Sequence, residues 1–148
     1  MEYSALGSGE LTDGTALWMV GPRTLAEHVT PTITEAARQA GRPAPYIAVG
    51  LPICVTNDPA AAHERAARSI ANYGQLPSYR AMLDREGVAG PADVMLAGPE
   101  DEVDRQLLQL EEAGASEFTA TPMGSLDDRQ CTVAFLQERV AHERHTPV

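Results

Sequence analysis

Apolar and polar positions along the chain follow two rhythms that alternate. Residues 15–20 form a short apolar, β-prone run, introduced by Asp13-Gly14 and broken at Gly21-Pro22. From Pro22 onward Leu25, Val29, Ile33, Ala36, Ala37 and Ala40 recur at helical spacing until Gly41 ends the run. Pro22 suits the first helical position, where no N–H donor is needed. Pro31 lies inside the run and predicts a kink or short break, since it cannot donate to the preceding turn. YIAVGLPICV, residues 46–55, is nearly continuous in apolar and β-branched residues. Such a strand is buried on both faces, as in a parallel sheet covered by helices. Gly50 and Pro52 within it predict a bulge or bend near Leu51.

Asn57 or Asp58 is placed to cap a helix that starts at Pro59 and runs to about Tyr73. Gly74-Gln75-Leu76-Pro77 separates it from a helix over residues 78–86, ended by Gly87. A short apolar strand is expected at 93–97, then Gly98-Pro99 and a helix over 100–113 with Val103, Leu107, Leu110 and Ala113 on one stripe. A last strand is expected at 118–121, and Ser125 caps a final helix reaching about His142. Strand and helix thus alternate, and parallel strands with right-handed helical crossovers are the default for that order. The glycines at 7 and 9 predict a poorly ordered segment over residues 1–12, ahead of an α/β domain at 13–142 and a loose polar tail at 143–148.

Composition narrows the function. The 148 residues carry 21 acidic and 11 basic side chains, a formal charge of -10. With no basic run, nothing tracks a nucleic-acid backbone, although one phosphate at a helix terminus needs only local donors. No stretch approaches the ~20 apolar residues of a membrane span. The first residues have neither a basic nor an apolar leader pattern, so a cytoplasmic protein is expected. Cys54 and Cys131 lack CxxC spacing and are expected to be buried free thiols. The four histidines are scattered; His142 and His145 could share a helix face, but no third ligand accompanies them and no metal is expected.

The richest candidate chemistry lies where the first strand passes into its helix. The free N–H groups and positive dipole end at Gly21–Thr24 favour an anion, and Arg23 adds a fork of donors, so Gly21, Arg23 and Thr24 are candidate phosphate contacts. The competing reading is an ordinary helix start with Arg23 solvated at the surface. At the second Gly-Pro, Glu100, Asp101 and Glu102 would repel a phosphate. Trp18, Met19, Leu51 and Met123 stand at or near strand C-termini. Residues such as Trp18 and Met19 are more often core than pocket, but in a barrel side chains at these ends face the active site. An apolar mouth with one anion site suits a phosphate-bearing cofactor with a flat ring better than hydrolysis. No catalytic side chain can be named.

DGTALWMVGPRTLAEHVTPTITEAARQAGR, YIAVGLPICVTNDPAAAHERA, YGQLPSYRAMLDREG and AGPEDEVDRQLLQLEEAGASEFTATP together resemble the C-terminal half of luciferase-like monooxygenases, in the branch that uses the deazaflavin coenzyme F420. The resemblance runs from about Leu11 to Val140. It implies a partial (β/α)8 TIM barrel of about four parallel strands. It also implies hydride transfer between F420, or alternatively FMN, and a small organic substrate at the C-terminal mouth. In similar proteins the loop after the first strand helps hold the cofactor phosphate, which carries over onto Gly21, Arg23 and Thr24. A complete barrel has ~250 residues, and the family's N-terminal half, with most ring contacts and the usual catalytic side chains, has no counterpart here. The expectation is therefore a truncated, poorly active chain whose open edges favour a homo-oligomer. A non-catalytic, self-associating half-barrel remnant and a phosphate-ligand binding module are the alternatives.

Overall fold

The computed structural model describes residues 12–143, and the segments expected to be loose at 1–12 and 143–148 lie almost wholly outside them. Four strands form one parallel sheet: β1 (Gly14–Trp18), β2 (Tyr46–Val55), β3 (Leu96–Gly98) and β4 (Glu117–Pro122). β2 is central. Residues Ala48 to Gly50 pair with β1 and also with β4, which puts those two strands on opposite edges. Ile53 pairs with both Leu96 and Pro122, so β3 shares the β1 edge, further along β2. The sheet is thus three long strands with a short fourth stacked end to end beside β1.

Both registers along β2 are continuous, so the expected bulge near Leu51 does not form. The reason is geometric. Tyr46 and Thr56 direct their N–H groups to the β1/β3 edge, and Pro52 falls in the same alternation. On that edge β1 pairing stops at Gly50 and β3 pairing starts at Ile53. The missing Pro52 donor faces the gap between them, and no ladder bond is lost. Gly50 is required by Trp18, whose ring lies where a Cβ would be, 2.8 Å from its nearest atom.

The sheet has two unequal faces. Ile47, Val49, Leu51, Ile53 and Val55 are buried in the core with Val29, Ile33, Val103, Leu107 and Leu110 from the helices. On the other face Ala16, Thr119 and Thr121 are exposed. Helix α1 is continuous through Pro22–Thr24, Leu25–Val29 and Thr30–Gln39, with the middle piece π-helical. Thr30 donates its N–H to the Leu25 carbonyl, one residue further back than in an α-helix. The widened turn lies just ahead of Pro31, so the predicted disturbance appears as a π-turn and not as a break. Helix α2 (Pro59–Ile70) is capped by Asp58, whose carboxylate accepts from the Ala61 N–H at 3.1 Å. Helix α3 (Pro77–Glu86) ends at Gly87 in the left-handed region, with φ 81°. The strand expected at 93–97 is displaced to Leu96–Gly98, because Pro91–Val94 forms a 3-10 turn held by Asp93 accepting from the Gly90 N–H. Helix α4 (Glu100–Glu112) meets α1 through the Thr30 hydroxyl, which donates to the Ala113 carbonyl. Helix α5 (Leu126–Glu143) is fixed to the end of β2 by Thr132, whose hydroxyl accepts from the Val55 N–H at 2.8 Å.

Gly50→Ala forces the Trp18 ring off its seat in the middle of the central strand. It should cost about 1–3 kcal/mol in urea unfolding. Unchanged stability would show that the ring can move freely.

Candidate functional site

All four strands are parallel, so their C-terminal ends open on one side of the molecule. At the end of β1, Met19 has φ 62°, an uncommon left-handed conformation for a side-chain-bearing residue. Its N–H still reaches the Gly50 carbonyl at 3.1 Å, so the turn is held by the sheet that it leaves. Val20 and Gly21 then lead into α1.

The first amides of α1 point at a carboxylate. Glu86, the last residue of α3, accepts from the Arg23 N–H at 3.1 Å and from the Thr24 N–H at 2.7 Å. A Cβ on Gly21 would stand 2.4 Å from that carboxylate, so glycine is what lets an oxyanion approach here. The donor set therefore fits an anion, and in the folded chain the anion is Glu86. The Arg23 guanidinium pairs with Glu27 at 3.2 Å and lies beside Gly87 at the C-terminus of α3. The negative end of one helix thus meets the positive end of another, with Glu86 and Arg23 across the junction. Thr24 is 2% exposed and its hydroxyl faces the Met82 carbonyl, so it offers its backbone and not its side chain.

The four apolar candidates do not share one pocket. Trp18 is half-buried, edge-on to Tyr73 at 6.2 Å, and Tyr73 is in turn edge-on to Tyr79 at 5.1 Å. The Trp18 indole N–H is buried with no acceptor among the described residues. Met19 and Leu51 are fully buried in the core; by register Leu51 lies on the helix-covered face, opposite Trp18 and Gly50. Met123, half-buried, lines a separate open cleft of about 310 Å³ at the end of β4, together with Arg65, Arg68, Ser69, Thr121, Gly124 and Arg129.

Glu86, the tyrosine pair and these arginines were not singled out by sequence pattern. Glu86 did carry a signal: a carboxylate in the last turn of a helix opposes the dipole and needs another reason to be there. Cys54 is buried, and burial, with the Asp128 charge beside it, pushes its thiol up to about 11. Cys131 is exposed, contrary to the expectation of two buried thiols, because its position on α5 faces away from the sheet. Asp128 is held below the usual carboxylate range by the Ser125 hydroxyl and N–H. No group of three metal-ligating side chains occurs among the described residues, and none of their helices is long and apolar enough to cross a membrane.

The model of the luciferase-like monooxygenase family matches residues 7–117. The chain belongs to that family. Among solved structures, this luciferase-like chain is similar to an F420-dependent secondary alcohol dehydrogenase in complex with an F420-acetone adduct, at 20% identity and TM-score 0.63 over 80% of this chain and 39% of the other. It is similar to the coenzyme F420 dependent tetrahydromethanopterin reductase from Methanopyrus kandleri, at 19% identity and TM-score 0.64 over 80% of this chain and 41% of the other. A third match is the oxygenating constituent of 3,6-diketocamphane monooxygenase from Pseudomonas putida in complex with FMN, at 18% identity and TM-score 0.59 over 86% and 41%. No curated protein matches. The luciferase-like chain spans about two-fifths of the length of these three structures, and the likeness establishes a shared fold.

Glu86→Ala removes the acceptor from two first-turn amides of α1. It should lower stability by about 1–2 kcal/mol in urea unfolding. A change within experimental error would mean that water replaces the carboxylate at no cost.

Proposed function

We propose that this chain forms part of the cofactor site of a luciferase-like oxidoreductase. F420 is the favoured cofactor and FMN the alternative. The bound ring system would supply the hydride chemistry toward a small organic substrate. The observation that carries the reading is the pair of α1 amides holding an oxyanion beside Gly21. The cofactor phosphate takes that place by exchanging with the Glu86 carboxylate, while Arg23 exchanges Glu27 for the phosphate. Gly21 leaves the room, and the Arg23 and Thr24 N–H groups donate. Trp18, whose indole donor has no acceptor among the described residues, and Met123 border the mouth; Met19 and Leu51 support it from the core. Family membership and the F420- and FMN-binding neighbours favour this cofactor class over other phosphate carriers.

The 148 residues alone turn over slowly in this reading, and they work in the cytoplasm as a homo-oligomer. Among the described residues no further strand pairs with the outer edges of β1 and β4, which favours self-association. That observation also favours the second reading, a self-associating half-barrel without catalysis, whose assembly would be indifferent to cofactor.

Titration with F420, followed by its fluorescence and compared with FMN, separates the two. Saturable binding should weaken ~10-fold or more in Arg23→Ala, as expected for loss of a charged hydrogen-bond donor. Glu86→Gln, which removes the competing charge, should bind more tightly than the parent chain. No saturable binding to either cofactor, or equal affinity in Arg23→Ala, would overturn the cofactor reading.

A further inference from the structure

A second cationic site lies at the same end of the sheet, at the terminus of β4. Arg65 and Arg68 are three residues apart on α2, which places them on one helix face. Arg129, from the second turn of α5, faces the same cleft of about 310 Å³. Three of the eleven arginines of a chain with formal charge -10 therefore line one concave surface. In such a chain carboxylates outnumber guanidinium groups nearly two to one, and six of the ten described arginines are paired within 3.2 Å. Arg68 and Arg129 have no ion pair among the described residues. Arg65 reaches only Asp128, at 3.9 Å, and that carboxylate is already held by the N–H and hydroxyl of Ser125.

The rest of the cleft suits an oxyanion. Thr121 is exposed beside the arginines. Gly124 has φ 98°, and a Cβ there would strike Cys54 and Asp128, so the backbone passes close under the cleft with no side chain of its own. Guanidinium forks bind phosphate and carboxylate in bidentate fashion, and a concave wall of one sign raises the local anion concentration. Phosphate groups are also commonly bound beyond the last strands of α/β barrels.

We infer that the Arg65–Arg68–Arg129 cleft is a second oxyanion site, which receives a phosphate or clustered carboxylates at the end of a small-molecule ligand. It is distinct from the α1 amides, and its existence does not depend on the cofactor proposed above. Charge and geometry select the class of group, and its source is a matter for the test.

The test is titration of the whole chain with inorganic phosphate and, separately, with citrate at constant ionic strength, followed by arginine side-chain N–H signals in NMR spectra. The expected result is saturable movement of the Arg65, Arg68 and Arg129 signals, with affinity at least tenfold weaker in Arg68→Ala/Arg129→Ala. Arg38→Ala/Arg105→Ala, an equal charge change on α1 and α4, and Arg23→Ala should leave it unchanged. All of these arginines are exposed, so the variants should fold. Tighter phosphate binding would identify a phosphate-bearing group, and tighter citrate binding a carboxylate cluster. Non-saturable shifts spread over all arginines, or equal losses in Arg38→Ala/Arg105→Ala and Arg68→Ala/Arg129→Ala, would overturn the inference. Loss of F420 binding with this oxyanion binding intact would fault only the cofactor reading.

Discussion

The fold depends on β2 being paired along both edges at once. Its N-terminal part is held between β1 and β4, and its C-terminal part between β3 and β4. With Val49, Leu51 and Ile53 at 0% exposure, the strand is also the floor of the hydrophobic core. A strand in that position has little tolerance for irregularity, yet it contains a glycine and a proline. Each is admitted by a neighbour: Gly50 by the Trp18 ring that covers it, and Pro52 by the gap between β1 and β3. Because the pairing is all parallel, every strand delivers its C-terminal residue to the same end. That constraint is what places Met19, Gly21, Met123 and Gly124 on one side of the molecule.

At that end the chain has answered its own electrostatic problem. The N-terminus of α1 needs an acceptor and the C-terminus of α3 needs a donor, and the two helices meet there. Glu86 fills the first need and Arg23, beside Gly87, stands at the second. The same geometry that makes Gly21–Thr24 attractive to an anion thus supplies one from inside the fold. A ligand phosphate at this place would compete with a carboxylate that is already there, so its affinity would reflect a difference between two anions. In the arginine cleft at the end of β4, no carboxylate among the described residues pairs with Arg68 or Arg129 in the same way.

Much of the architecture was legible because it rests on local signals. The continuous apolar run of Tyr46–Val55 named the central strand with its bounds, and Asp58 and Gly87 marked helix ends by capping chemistry. The π-turn before Pro31 was visible as a disturbance but not in kind, since only packing decides whether a helix widens or breaks. The bulge expected near Leu51 failed because Pro52 is tolerated by where two other strands stop, a non-local fact. For the site, Gly21, Arg23 and Thr24 could be picked out from the strand-to-helix passage. Glu86 was marked only as a carboxylate out of place at a helix C-terminus; its meeting with these amides spans more than sixty residues. The separation of Leu51 from Trp18 onto opposite faces was implicit in strand alternation, whereas the meeting of Arg65 and Arg68 with Arg129 was not readable from sequence.

The central claim is that an anion of the cofactor replaces Glu86 at the start of α1. Backbone amide NMR of the chain with and without F420 tests it at the atoms concerned. The account predicts saturable shifts of the Arg23 and Thr24 amides, together with the Glu86 side chain, at one shared midpoint. Saturable binding that moves other residues while those amides stay fixed would contradict it.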